Sequence, residues 1–92
     1  MRREQVLAWL DTRRPVPPAS LRQRLQNAVH DAPDGLAAHL ARHGRELLDK
    51  VAAHPQGGRE LALDLLAADA FATYAFEAQA EEGKGGRPSH AT

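Results

Sequence analysis

Apolar residues recur at helical spacing in segments that proline or glycine separates, and this pattern predicts four helices. The first covers about residues 3–12 and must end before Pro15, because the residue preceding a proline is pushed out of the helical region. The second begins near Ser20, which we expect to cap it in a capping box with Gln23. Its predicted buried stripe consists of Leu21, Leu25, Ala28, Val29 and Ala32.

The third and fourth helices lie between further breaks of the same kind. The third runs from about residue 35 to residue 53, with Asp34 as its expected N-cap. The fourth runs from about residue 59 to residue 82, and residues 83–92 contain almost nothing apolar, so we expect that tail to be disordered. The predicted stripe of the third helix consists of Leu36, Leu40, Leu47, Leu48 and Val51.

The fourth predicted helix is apolar on all sides, which is typical of a helix that is covered on all sides. It is therefore either a central helix packed by the other three or a helix with one face left open for a partner. Its many alanines would let another helix approach closely in both cases. The residues that we expect to form the core or this interface are Leu66, Phe71, Tyr74 and Phe76.

Composition narrows the fold to a small all-α domain. The chain has 92 residues, 18 of them alanine and 12 leucine, and it has no isoleucine and no cysteine. Scarce β-branched residues disfavour strands, and the absence of cysteine excludes a disulfide scaffold. We expect one four-helix bundle over residues 1–82, without a membrane span or a secretory signal, and hence in the cytoplasm.

Histidine is the first place to look for chemistry, because His39 and His43 are four residues apart on one side of the third helix. Two histidines at this spacing are candidates for metal binding, with Glu46 as a third ligand. However, no metalloprotease motif or di-iron motif surrounds them. At the edge of the leucine stripe they are more simply packing residues with solvated tips. We therefore expect no metal and no cofactor.

Catalytic groups of other kinds are sparse. Asp64 and Asp69 diverge by about 140° around the fourth helix, too far to act as a pair. Asp69, Thr73 and Glu77 share a stripe, which is either a solvent-facing edge or a polar seam that meets arginines of another helix or chain. We expect a protein that is not an enzyme.

The net charge of zero hides a gradient along the chain. Residues 1–30 carry six arginines and two acids, whereas residues 31–92 carry six basic and ten acidic residues. Arginine near Trp9 is one ingredient of nucleic-acid binding, although the spacing of the first two helices is not that of a helix-turn-helix. The candidates for polar docking or nucleic-acid contact are Arg13, Arg14, Arg22 and Arg24.

These observations predict a small non-catalytic module that binds another protein or a second copy of itself through its last helix. The alternative is a nucleic-acid-binding regulator that uses the arginine-rich first third. A metal-binding bundle built on His39 and His43 is a more distant alternative.

Overall fold

The computed structural model describes the backbone of residues 1–54 and 58–86, and the side chains of these residues up to position 82. Within these ranges the chain forms four α-helices and no strand. This confirms the predicted all-α, four-helix bundle. The helices are α1 (Arg3–Leu10), α2 (Ala19–Ala28), α3 (Leu36–Ala52) and α4 (Arg59–Gly86).

The two long helices, α3 and α4, pack along each other and form the central pair of the fold. Gly44 of α3 is buried where the two helices meet. A Cβ atom placed on it would lie 3.3 Å from the carbonyl oxygen of Ala68 and 3.4 Å from the backbone nitrogen of Ala72. The lack of a side chain at this position therefore lets the two backbones approach closely.

The short helices α1 and α2 cover one side of the α3–α4 pair. Val6 of α1 and Leu25 of α2 are almost fully buried against Leu40 of α3 and Phe71 of α4. The segment that follows α2 adds Val29 and Ala32 to the same core. The core is therefore one cluster on one side of the α3–α4 pair.

The arginine at the start of α1 holds the end of α2. Nε of Arg3 donates to the carbonyl oxygen of Val29 at 2.9 Å, and Nη2 donates to that of Gln26 at 2.9 Å. These carbonyls lie at the end of a helix, where no intrahelical donor remains and a cation is favoured. Asp31 also accepts from the backbone N–H of Arg3 at 2.8 Å. Side-chain capping thus ties α1 to α2.

Two predicted N-caps are wrong. Pro18 rather than Ser20 precedes α2, and Ser20 lies inside the helix, since the fixed φ of proline already suits a helix start. Gly35 rather than Asp34 precedes α3, with a φ of 99° that favours glycine. The carboxylate of Asp34 instead accepts a hydrogen bond from Nη1 of Arg42 at 2.6 Å.

The bounds of the first and last helices also differ from the predicted ones. Helix α1 ends at Leu10, two residues early, and α4 continues to Gly86, four residues beyond the predicted end. The predicted disordered tail therefore begins inside α4, and its last six residues, 87–92, lie outside the described residues. None of the helices in the described ranges is long and apolar enough to cross a membrane.

Substitution of Gly44 tests the close packing of α3 and α4. We expect Gly44→Val to lower the free energy of unfolding by about 2–3 kcal/mol, because its methyl groups would force the two backbones apart. Chemical denaturation measures this loss. As a matched control, Ala52→Val at the exposed last position of α3 should cost less than about 1 kcal/mol. Equal losses in the two variants would contradict the packing argument.

Candidate functional site

The outer side of α4 is only partly covered by the rest of the chain. The exposed fractions of Leu65, Leu66 and Phe76 are 49%, 55% and 74%. Phe71 is fully buried in the core, and Tyr74 is half-buried against it. Helix α4 is therefore not covered on all sides by the other three helices, and one of its faces is open. Phe71 and Tyr74 belong to the packed side of α4, whereas Leu66 and Phe76 lie on the open side.

A shallow groove lies between α3 and α4 on the side away from α1 and α2. We call it the outer groove. Phe76 lies at one end and Leu48, which is 50% exposed, at the other. Helical spacing places Leu65 on the same face of α4 as Ala72 and Phe76. The floor of the groove consists of small residues, namely Ala37, Ala38, Ala41, Gly44, Ala72 and Ala75.

Charged residues of the outer groove differ between its two ends. Asp34 and Glu82 lie at the end next to Phe76, and Arg45 and Asp49 lie at the end next to Leu48. Asp34 is paired with Arg42. In the part of the chain that the structure describes, Arg45 and Glu82 make no ion pair. A charged group on each end thus remains unpaired beside an apolar groove.

Arg13 is bound within the chain rather than presented to solvent. Its Nη1 donates to Glu77 at 2.9 Å and to Glu81 at 3.3 Å, and its guanidinium carbon lies 3.9 Å from the centre of the Trp9 ring. The Trp9 ring also meets Tyr74 edge-on at 6.1 Å. Glu77 of the predicted Asp69–Thr73–Glu77 stripe therefore forms a polar seam with an arginine, whereas Asp69 and Thr73 are exposed.

The other three candidate arginines also have partners inside the chain. Arg22 pairs with Asp11 at 3.1 Å, and Arg24 pairs with the carboxylate of Asp64. Nη1 of Arg14 donates to the backbone carbonyls of Asp11 and Arg13, at 3.0 and 2.8 Å. Arg13, Arg14 and Arg22 lie near one another where α1 ends, and Arg24 lies apart from them on α2. The four do not form one continuous basic face.

Asp64 is the single buried carboxylate among the described residues, with an exposed fraction of 1%. It receives the guanidinium of Arg24 on Oδ1 and the ammonium of Lys50 on Oδ2, the latter at 3.1 Å. Both carboxylate oxygens are thus engaged, and the ion triad joins α2, α3 and α4. This arrangement serves the packing of the helices, because it leaves no oxygen free to act as a base.

Three histidines pack against one another beside the core. The ring centres of His39 and His43 are 4.5 Å apart, and the ring of His30 lies 5.4 Å from the first and 4.8 Å from the second. We call these residues the histidine cluster. His39 is fully buried and His43 is 8% exposed, so the expectation of solvated tips is wrong for this pair. His54 lies apart and contacts the carbonyl of Lys50.

The surroundings of His39 favour its neutral form. Its Nε2 receives the backbone N–H of His30 at 3.3 Å, and its Nδ1 faces Nη2 of Arg42 at 3.4 Å. The bond from His30 requires a lone pair on Nε2, which the neutral ring has when its hydrogen is on Nδ1 and the protonated ring lacks. Burial, followed by the charges of His43, His30 and Arg42, lowers the pKa of His39 to about 4. Burial also lowers the pKa of His43, against the opposing effect of Glu46 at 3.5 Å.

Metal binding finds little support in this geometry. In residues 1–54 and 58–86, no group of three or more histidine, cysteine or acidic side chains is arranged to hold a metal ion. Nε2 of His43 is buried without a hydrogen-bond partner among the described residues, and the rings of His30 and His39 are nearly perpendicular to the His43 ring. The three rings thus pack edge to face, and their nitrogen lone pairs do not converge on one point where a metal ion could bind.

Sequence reasoning missed Asp64 and His30 as members of buried clusters. For Asp64 a signal existed, since it shares a helical stripe with Ala67, Phe71 and Ala78, all buried. For His30 there was none. It follows the end of α2, and only the path of the chain between α2 and α3 brings it to His39.

Comparison with known proteins adds no relative. No protein-family model matches the chain, and searches of curated proteins and of solved structures also found no match.

Stability should fall on acidification because of the histidine cluster. The folded-state pKa of His39 is about 4, below the 6.5 of an unperturbed histidine. The unfolded chain therefore takes up a proton first, and stability present at pH 7 is lost as the pH falls from about 6.5 towards 4. We expect this histidine to account for about 3 kcal/mol of that loss, as measured by denaturation at each pH.

Two variants separate this effect from general acid denaturation. His39→Asn should be less stable at pH 7 but should show a flatter dependence of stability on pH. His54→Asn, at the exposed end of α3, should keep the steep dependence of the original protein. A slope between pH 6.5 and 4 that is unchanged in His39→Asn would refute the assignment.

Removal of the Asp64 charge should strongly destabilise the fold. Asp64→Asn leaves Arg24 and Lys50 beside a neutral amide, and we expect a loss of about 2–4 kcal/mol in the free energy of unfolding. Asp69→Asn, on the exposed side of the same helix, should change it by less than about 0.5 kcal/mol. Urea denaturation compares the two variants, and a loss below 1 kcal/mol for Asp64→Asn would count against the triad.

Proposed function

We propose that this protein is a small non-catalytic interaction module that forms a dimer with a second copy of itself through the outer groove. The observation that carries the proposal is Phe76, a large aromatic side chain that is 74% exposed beside a groove of small residues. Exposed apolar surface of this kind usually marks an interaction site. The proposal includes the cytoplasmic location that the sequence led us to expect.

Shape favours a second copy as the occupant. A two-fold interface uses the same surface on both subunits, so a projecting group and a hollow must lie side by side on one face. Phe76 projects at one end of the outer groove, and the hollow between Ala41, Gly44 and Leu48 lies towards the other end. A two-fold axis through the middle of the groove brings each Phe76 to the hollow of the other copy.

The charges at the two ends of the groove support the same pairing. A two-fold axis through its middle reverses the direction of one copy relative to the other. Glu82 then faces the end that carries Arg45, whereas Asp34 is already paired with Arg42 and Asp49 lies at the same end as Arg45. Unlike charges at the rim of an interface favour the correct register and suppress others. Glu82 and Arg45 have no other ion pair within the described ranges.

The area of the α3–α4 face that carries the outer groove determines how tightly we expect two copies to bind. Helix α3 has 17 residues and is about 25 Å long, and two helices side by side are about 20 Å wide. The face therefore measures roughly 500 Å² on each copy, or about 1,000 Å² in total, which is the lower limit for a specific interface. We therefore propose a reversible dimer with a dissociation constant in the micromolar range.

The alternative of nucleic-acid binding receives less support from the described contacts. Three of the four candidate arginines are paired with carboxylates of the same chain. Counterion release is the main source of affinity for the phosphate backbone of a nucleic acid. An arginine that is already neutralised releases fewer counterions when it binds. We therefore do not place the main function on this surface.

Sedimentation of the purified protein tests the dimer. We expect the sedimentation coefficient to rise from a monomer value at about 1 µM to a dimer value at a few hundred micromolar. Phe76→Ser and Ala41→Glu should each weaken association at least tenfold, because one removes the projecting ring and the other places a charge in the hollow. Both positions are exposed, so the variants should keep their helical circular dichroism.

Val16→Ser is the matched control for these variants. Val16 is 56% exposed and lies between α1 and α2, away from the outer groove, so its loss should leave association unchanged. A protein that stays monomeric at several hundred micromolar would refute self-association. Association that is unchanged in Phe76→Ser, or that is lost in Val16→Ser, would refute the assigned surface.

A further inference from the structure

A second concave site lies on the opposite side of the molecule from the outer groove. It is a cavity of about 170 Å³ between the end of α1, the proline-rich connector, α2 and Tyr74 of α4. One water molecule needs about 10–15 Å³ of such space, so the cavity has room for a ligand of roughly ten non-hydrogen atoms. This site does not depend on the proposed dimer.

The polar side of the cavity is rich in arginine. Arg13, Arg14 and Arg22 all line it, and Asp11 is its one acidic residue. Arg13 is neutralised by Glu77 and Glu81. Arg14 makes no ion pair within the described residues, because both of its hydrogen bonds go to backbone carbonyls. Arg22 shares only one of its terminal nitrogens with Asp11. Asp11 therefore balances Arg22, and Arg14 is the guanidinium of the cavity that has no carboxylate partner among the described residues.

The two carbonyls that hold Arg14 also fix its orientation. Nη1 donates to the carbonyl oxygens of Asp11 and Arg13, and Nη2 and Nε have no partner among the described residues. Guanidinium nitrogens arranged in this way match the paired oxygens of a carboxylate or phosphate. Since the side chain is already ordered, little conformational entropy is lost when an anion binds.

The remaining wall of the cavity is apolar. It consists mainly of Leu10, Val16, Pro17 and Leu25, together with Tyr74. Burial and the nearby Glu77 raise the pKa of Tyr74 above its usual value of 10, so its hydroxyl keeps its proton. That hydroxyl has no hydrogen-bond partner within the described residues and can donate to an anion. A polar end and an apolar wall thus occur in one small cavity.

We propose that this cavity binds a small organic anion, in which a carboxylate or phosphate group contacts Arg14 and Arg22 and an apolar body lies against Leu10, Val16 and Leu25. The cavity is concave and small, whereas nucleic acid requires an extended basic surface. The guanidinium of Arg14, which no carboxylate of the described residues neutralises, favours anions over neutral molecules of the same shape.

Titration of the ¹⁵N-labelled protein with matched small molecules tests this site. The probes are benzoate, phenyl phosphate, the neutral benzyl alcohol and inorganic phosphate. We expect benzoate or phenyl phosphate to shift the amide signals of residues around the cavity, with a dissociation constant below about 5 mM. Benzyl alcohol and inorganic phosphate should bind at least tenfold more weakly. The stronger of the two aromatic anions then shows whether carboxylate or phosphate is preferred.

Variants assign the binding to the arginines. Arg14→Gln combined with Arg22→Gln should weaken binding of the aromatic anion at least tenfold, and 0.5 M NaCl should also weaken binding to the original protein. Arg59→Gln, at the start of α4 and outside the cavity, should leave binding unchanged. The circular dichroism and melting temperature of each variant show that it is folded.

Three results would overturn the proposal. Equal binding of benzyl alcohol would show that charge has no part in recognition, and equal binding of inorganic phosphate would show that the apolar wall has none. Absence of any shift around the cavity at 20 mM of both aromatic anions would show that the site does not exist.

Discussion

The close approach of α3 and α4 at Gly44 is the contact on which the rest of the structure depends. The backbone carbonyl of Ala68 and the backbone nitrogen of Ala72 lie within 3.4 Å of the position that a Cβ atom of residue 44 would take. Because the two long helices are this close, Phe71 fills the space beside them, and α1 and α2 need to cover only one side. The small chain can thus form a core with few large apolar residues.

The same small residues that bring α3 and α4 together also leave the groove on their other side. Alanines at positions 41, 72 and 75 line it, and no short helix of the described chain covers it. Phe76 and Leu65 remain exposed beside it as a consequence. The small volume of the residues along these two helices therefore has two effects. It allows the packing that stabilises the monomer, and it creates the surface proposed for dimerisation.

Charged residues join the elements that apolar contacts leave weakly connected. Asp64 holds Arg24 and Lys50 together at the junction of α2, α3 and α4. Arg13 joins the end of α1 to Glu77 and Glu81 of α4. The basic first third of the chain and the acidic remainder thus attract each other within the fold. Of the four arginines that the sequence singled out, Arg14 and Arg22 keep hydrogen-bonding capacity for the proposed ligand.

The sequence by itself determined the four helices, their order and the two possible environments of α4, because apolar periodicity and the proline and glycine breaks are local properties of the chain. It did not determine the caps of α2 and α3, since Pro18 and Gly35 act through backbone angles. Only the tertiary structure decided that Asp64 is paired, that His30 meets His39 and His43, and that the outer face of α4 is open. Each of these depends on contacts between residues far apart in the chain, which a local pattern does not encode.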